Sequence, residues 1–588
     1  MKPHRVDKVF WRAAVMLMAC LCGAQLIIAQ GAQDQNDQGD PPARVARVSY
    51  VAGKVSLQQA GVDQWSEASL NYPMTTNDRL YTDQGARAEL EVGSAAVRLS
   101  EATDLTIANL NDQFMQLGLA QGAIRVSVYE LPQGNSVEVD TPNGALTLLR
   151  TGYYRVDTFP NDNATLVSVY SGDVQLSGGG LSQTLHSGQA VKLTGSGPIQ
   201  VNYTSLPSQD SFDQWSAARD RTFVSAASAR YVSRDTPGYA SLDGYGVWSE
   251  APQYGPIWYP TAVPAGWVPY RTGHWVWVGP WGWTWVDAEP WGFAPFHYGR
   301  WAFVGARWGW IPGPLGPRPY YAPALVAFVG GPHFSIGVSV GGGVGFAGWF
   351  PLGPREPYYP WYHSGNGYLR QVNVTNIRNV TNINNIVNVR NVNNIRYVNQ
   401  RVATTVVRSN VFASGAPVRS GLVRMDSQQL AEARVIPHPM INPSGAATFG
   451  GRAVPAPIHT ERFAATQANR RFATASPANP RGAPPTAANR TFERPQSARS
   501  YPPTTRPRLF TNRQPAPASV PFAAKERAMQ THPGRPLEPE QVNNLRQGRP
   551  AGPMRDREYI SHTPRSQAPR SQGHSESKPK RDSGDKRR

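Results

Sequence analysis

Cysteine is nearly absent. Among 588 residues only Cys20 and Cys22 occur, and both lie in a segment that reads as an export signal. A mature chain cleaved beyond them has no disulfide, no zinc–thiolate site and no cysteine nucleophile. Charge is sparse as well, at 17% of residues. No P-loop, dinucleotide fingerprint or Ser-His-Asp signature is present, so neither a cofactor nor a metal is expected. What is abundant is glycine (55), proline (53) and tryptophan (17). That mixture points to an all-β chain with long irregular segments rather than to helical bundles. The net charge of +18 is unevenly placed: residues 411–588 hold 29 Lys+Arg against 12 Asp+Glu, a surplus of +17. The basic character therefore belongs to a tail.

Lys2, Arg5, Lys8 and Arg12 precede an apolar run at 15–29, and Ala29-Gln30-Gly31 supplies small residues for cleavage after Gly31. The run is shorter than the roughly 20 residues of a membrane span. Leu17-Met18-Ala19-Cys20 is a loose lipoprotein box, which makes Cys20 a candidate lipidation site and the chain a candidate lipid-anchored protein. Residues 1–31 are expected to be a signal peptide and the protein periplasmic or at the cell surface.

Residues 44–201 are dense in short alternating strands. A unit of Gly-x-apolar-x-apolar recurs as "GKVSL" at Gly53, "GAIRV" at Gly122, "GALTL" at Gly144 and "GDVQL" at Gly172, with "GQAVKL" at Gly188 one residue longer. Glycine permits the turn, and the period-two pair faces one core. Stacked hairpins, as a β-solenoid or a sandwich, satisfy this pattern.

The same region carries Thr141-Pro142-Asn143-Gly144, Arg150-Thr151-Gly152-Tyr153, Ser171-Gly172-Asp173-Val174 and Gly188-Gln189 in order. In this it resembles a FecR domain, over about a quarter of the chain. The resemblance implies a β-rich extracytoplasmic domain that binds other proteins, best known from iron-siderophore signalling, where it links an outer-membrane receptor to a sigma factor. Fewer than fifteen residues precede the apolar run, too few to fold around a sigma factor, so direct sigma-factor contact is not expected.

Residues 202–234 form a linker with a short helix, for which Ser211 or Asp213 is the cap. From 235 to 362 the chain is a Trp/Gly/Pro-rich β module holding fourteen of the 17 tryptophans. "GHWVWVG" at Gly273 is echoed by "GRWAFVG" at Gly299, and "WGWTWV" at Trp281 by "WGWIPG" at Trp308. Each unit reads as a β-hairpin. The Gly-rich run at 324–350 reads as another hairpin. Two roles compete for the rings. They are the core of a small fold with few aliphatics, or Trp275, Trp277, Trp283, Trp285, Trp301 and Trp310 form a ligand platform. Arg271, His274, Asp287, Glu289, His297, Arg300 and Arg307 are the polar groups available to orient a ligand. The core reading accounts for the repeat without a ligand and is preferred. Asp287 and Glu289 are the module's only close carboxylates, and as neighbours on one strand end they do not face each other across a cleft as a glycosidase pair does. His274, His297, His333 and His363 are too scattered for a metal motif.

Residues 363–408 contain an Asn-[Ile/Val]-x repeat of period three, which fits neither helix nor strand and suggests an extended segment. Residues 409–588 have no apolar period and read as a long disordered basic tail. Such a tail suits an anionic envelope surface; nucleic acid has no folded reader here. The sequence therefore describes a non-enzymatic exported protein that binds or scaffolds an envelope protein or polymer. The alternative is a component of extracytoplasmic signalling of the iron/siderophore type. A cell-wall glycan-binding or hydrolysing protein is the weakest fit. Mass spectrometry of the mature N-terminus should find it near Ala32; an intact Met1 or an acylated Cys20 would overturn soluble export.

Overall fold

The computed structural model describes residues 39–313, 315, 318–330, 345–374, 396–431, 433–449 and 506–554. Residues 1–38 with Cys20, residues 375–395 of the period-three stretch, and the basic stretches 450–505 and 555–588 lie outside them.

Strong alternation from residue 46 to 204 builds a two-layer sandwich. The layers share one long strand, Phe114–Val128. Its first half pairs with Asp104–Leu110 and, in parallel, with Ser136–Thr141; its second half pairs with Ala95–Leu99 and Gly152–Phe159. Outward from it, the first layer continues through Ala164–Ser171 and Ala190–Thr194 on one side and Arg87–Glu91 and Ala46–Ala52 on the other. The second layer continues through Gly144–Leu148 and Asp173–Gly178, and through Arg79–Thr82 and Val55–Gln58. Leu90, Val97, Ile124 and Val126 of the first layer share a core with Leu117, Val139, Leu146 and Leu176 of the second. The recurring glycines mark turns at Gly53, Gly144, Gly172 and Gly188 and, at Gly122, the point where the long strand passes from one layer to the other; all five have φ between +73° and +155°, a region closed to most side chains. At Gly172 a Cβ would also fall 2.0 Å from the Tyr154 hydroxyl.

Residues alternating with the core point outward, and on the first layer they are charged. Glu89, Arg98, Arg125 and Arg155 stand opposite one another on four adjacent strands. The linker helix, Ser211–Ser225, covers this row. Its cap is Asp210, which closes a capping box with Asp213; the expected caps lie one residue and three residues further on. Arg98 binds Glu89 at 2.7 Å and Asp220 at 2.6 Å, and Arg155 binds Asp213 at 2.5 Å. Burial works against the Glu89 charge, but Arg98 and Arg219 outweigh it and hold its carboxyl at about 2.

Arg47 joins the sandwich to the aromatic module and is fully buried. Its guanidinium donates to Asn71 Oδ1 (3.0 Å), Glu91 Oε2 (3.1 Å), Ser241 Oγ (3.1 Å) and the Pro290 carbonyl (2.6 Å). Asn71 in turn donates to the carbonyls of Asp287 and Glu289, and Gln59 to that of Trp277.

The module is a set of hairpins, as its repeats predict. Gly273–Val278 pairs with Gly282–Asp287, setting Trp275 against Trp285 and Trp277 against Trp283. Arg300–Val304 pairs with Arg307–Ile311, setting Trp301 against Trp310. Val326–Gly330 pairs with Phe346–Pro351, so antiparallel strands bracket the Gly-rich run, whose residues 331–344 lie outside the described residues. The cross-strand rings meet edge to face, Trp275–Trp285 at 5.6 Å and Trp277–Trp283 at 5.3 Å, an arrangement that adds to area burial.

Three expectations need correction. The module does not end at 362, because Thr405–Arg408 and Arg434–Ile436 flank its last hairpin. The short helix Ser409–Ala413 then places Phe412 4.4 Å from Trp283. Within 363–408, Asn366–Val374 is helical, and Asn373 there is buried, bonding Arg300 and Tyr358. Within the tail, 506–554 is ordered. It runs along the second layer, then forms Phe522–Met529 and Pro539–Arg546, and reaches the module through Glu538–His363 (2.7 Å) and Gly534–Asn442 (3.1 Å). Local periodicity did not reveal this because the tail's apolar residues fill separate slots instead of one stripe.

Replacing Trp275 or Trp285 by Ala should destabilise the protein by about 3–5 kcal/mol, as large-to-small changes in a packed core do. Trp emission should be blue-shifted and resistant to aqueous quenchers. Parent-like melting of both variants would contradict an interior position.

Candidate binding surface

The six tryptophans proposed as a platform are interior, with exposures between 0 and 5%. Four of the six spend their indole nitrogens on the fold: Trp283 donates to the Ile441 carbonyl, Trp285 to Asp287, Trp301 to the Pro295 carbonyl and Trp310 to the Tyr298 carbonyl; the buried Trp275 nitrogen has no hydrogen-bond partner. Phe412 packs on Trp275 and Trp283, Trp301 packs on Trp267 and Trp291, and Trp310 on Trp248, so the rings are core and not a ligand platform.

The module's polar groups are dispersed. Asp287 is buried, which raises its carboxyl well above the usual range; it accepts from the Trp285 indole and from the Glu289 amide. The two carboxylates thus form a turn, not a pair across a cleft. Burial holds His274 neutral, down to about 4. His297 is likewise neutral and bonds the Ala322 carbonyl through Nδ1. Arg300 is enclosed by the carbonyls of Gly299 and Glu356 and by Asn373, and burial lowers it to about 10. Arg271 reaches Thr405, and Arg307 stacks on Tyr259. His363 pairs with Glu538, and His333 lies outside the described residues. Among the described residues no three His, Cys, Asp or Glu gather to hold a metal. A small cleft lies between the linker and the module, lined by Tyr231, Tyr298, Trp310, Arg318, Tyr320 and Gln371.

Ionisable side chains do converge on the outer face of the second layer. Period-two alternation sends Leu117, Val139 and Leu146 inward and Gln116, Glu138, Asp140 and Thr147 outward. Asp104, Glu138 and Asp140 are all nearly buried, and residues 506–516 lie over them as an irregular, largely extended segment with a bend at 512–513. Arg506 pairs with Asp104 at 3.3 Å, and Asp104 also binds Arg79 at 3.0 Å. Glu138 Oε1 accepts the amides of Asn512 (2.8 Å) and Arg513 (3.3 Å). The Phe510 amide donates to the Thr141 carbonyl at 2.9 Å. Arg513 rests over the Phe114 ring at 3.9 Å.

Glycines shape the slots. A Cβ at Gly118 would meet Leu509 at 2.9 Å, one at Gly178 would meet Phe510 at 2.7 Å, and one at Gly61 would meet the Val520 carbonyl at 2.3 Å. The sequence singled out none of these three glycines. Their only visible signal is a missing side chain at outward strand or turn positions.

Asp140 is pushed up to about 8, first by burial and then by Glu138 beside it. Gln116 from the neighbouring strand and Thr511 from the tail also face it. Asp78, buried near Lys525, is raised to about 7.

Over residues 239–356 the chain is similar to DUF6600, a family of unknown function. No curated protein matches it. Two crystal structures of a protein from Parabacteroides distasonis, described as a "putative anti-sigma factor", are similar at 15% identity over 22% of this chain, with a TM-score of 0.20. The matched region spans 60% of that protein's length.

A carboxyl raised on folding contributes stability that is present below its ordinary pKa and lost as pH rises through the folded value. His274 and His297 have the opposite sign, but they act only below about 6.5. Raising pH from 6.5 to 8.5 should therefore destabilise the protein, and Asp140→Asn should reduce the loss by about 1–2 kcal/mol in urea unfolding. An unchanged slope in the variant would refute the protonated state of Asp140.

Proposed function

We propose that the chain is an exported, non-enzymatic protein of the bacterial cell envelope that binds another protein through the outer face of its β sandwich. One observation carries this reading: that face holds a polypeptide segment by backbone hydrogen bonds, charge pairing and glycine-floored slots, contacts that a segment of another protein could equally make. The ordered FecR-like motifs at 141–189 and the charged, apolar N-terminus add support. The same motifs favour extracytoplasmic signalling as the second reading. Wall hydrolysis is disfavoured by the burial of Asp287 against its own turn.

A photo-crosslinker placed at Thr147 or Gln175 in the full chain, followed by cell fractionation, tests the proposal. Recovery in the envelope fraction, cross-linked to a second protein at these positions but not at Phe303 on the module, is expected. Cytoplasmic recovery would overturn it, as would wall hydrolysis abolished by Asp287→Asn.

A further inference from the structure

Residues 506–519 differ from the rest of the ordered chain. Pro507, Pro515 and Pro517 remove backbone donors and favour an extended form, and 511–515 are exposed. Yet the surface beneath is specific. Gln116 Nε2 donates to Thr511 Oγ1 (2.7 Å) and the Arg513 carbonyl (3.0 Å). Asn512 bonds Ser177 (2.5 Å) and Thr147 (3.2 Å), and Asn77 bonds the Pro517 carbonyl at 2.9 Å. Without the strand, Asp104, Glu138 and Asp140 would form an open acidic groove floored by Gly118 and Gly178. Downstream, Phe522–Met529 and Pro539–Arg546 stay packed through Met529 and Leu537, which lie in the common core. The strand can therefore leave while its anchor remains. A segment with this much exposed backbone belongs to the low-stability end of a fold.

We propose that the outer face of the second layer is a docking site for an extended, arginine-bearing peptide, and that residues 506–519 occupy it as a displaceable ligand in cis. The partner it fits is a segment of another protein with two arginines seven positions apart, flanking a bulky apolar pair, as Arg506, Leu509, Phe510 and Arg513 do here. The arginines meet Asp104 and Phe114, the apolar pair enters the glycine slots, and backbone amides between them reach Glu138. Covalent attachment holds the cis strand at an effective concentration on the order of mM. A partner must outcompete that, so the site is closed to weak ligands and open to matched ones. This inference rests on the proposed protein-binding role and adds the ligand chemistry and the cis occupant.

The test is fluorescence anisotropy with a labelled peptide of sequence 503–522, titrated into full-length protein carrying Cys20→Ser and Cys22→Ser. Arg506→Glu with Arg513→Glu, which releases the cis strand, should bind the peptide at least tenfold more tightly than the parent. Adding Gly118→Leu to that variant should abolish binding by filling a slot. A second variant, Ser177→Cys with Asn512→Cys, should refuse the peptide when oxidised and return to parent behaviour on reduction, which reports on the site without loosening the fold. Equal affinity of parent and released variant, or binding unaffected by Gly118→Leu or by the disulfide, would overturn the proposal. If the released variant keeps near-ultraviolet circular dichroism but binds no peptide, the cis-ligand inference fails on its own. Cross-linking at Thr147 would then still decide the broader binding role.

Discussion

An arginine or carboxylate taken out of water persists only where an opposite charge or a set of hydrogen-bonding groups replaces the solvent; otherwise the penalty is several kcal/mol per ion. The β sandwich sets this requirement on both of its outer faces. On the first layer the row Glu89, Arg98, Arg125 and Arg155 is excess positive, and the helix above it supplies Asp213 and Asp220. On the second layer the outward groups are acidic, and the strand above supplies Arg506 and backbone amides. At the edge, Arg47 is enclosed by the aromatic module. Three separate parts of the chain are thus positioned by one rule, and each cover carries the charge, donors or acceptors its face lacks.

The aromatic module meets a different requirement with the same economy of residues. A repeat of about 26 residues has room for few aliphatics, and tryptophan removes more apolar area per position than any other side chain. Each ring also brings an N–H, and most of those in the hairpins end on a carbonyl or carboxylate: Trp283, Trp285, Trp301, Trp310, Trp349 and Trp361 all do so. The rings therefore tie neighbouring segments together as well as filling space, which leaves them no free face for a ligand.

Much of this was legible in the sequence. The Gly-x-apolar-x-apolar units located positions of positive φ, four at turns and one, Gly122, inside the shared strand, and the internal repeat located hairpins whose rings meet across strands. The six tryptophans named as a platform could be separated from a core only by knowing what covers them, and part of that cover, Phe412 on Trp275 and Trp283, comes from outside the module's own repeat. The order of residues 506–554 within the tail left no local signal for a related reason. Leu509, Phe510, Val520, Met529 and Leu537 show no period because each docks at a different place. Arg506 reads as a solvated charge until Asp104, 402 positions away, is set beside it. Complementarity between distant segments leaves no local pattern, and the glycines that floor the slots are marked only by what they lack.

Hydrogen exchange on the full-length protein tests most directly whether the chain covers its own charged faces. The amides of Phe510, Asn512, Arg513 and Ala516 donate to the second layer, and those of 215–224 lie in the helix over the first. Protection is expected at both sets, with the strand opening more readily than the helix but far more slowly than an unstructured peptide. Exchange of the 510–516 amides at the rate of a free chain, while the helix stays protected, would contradict the account.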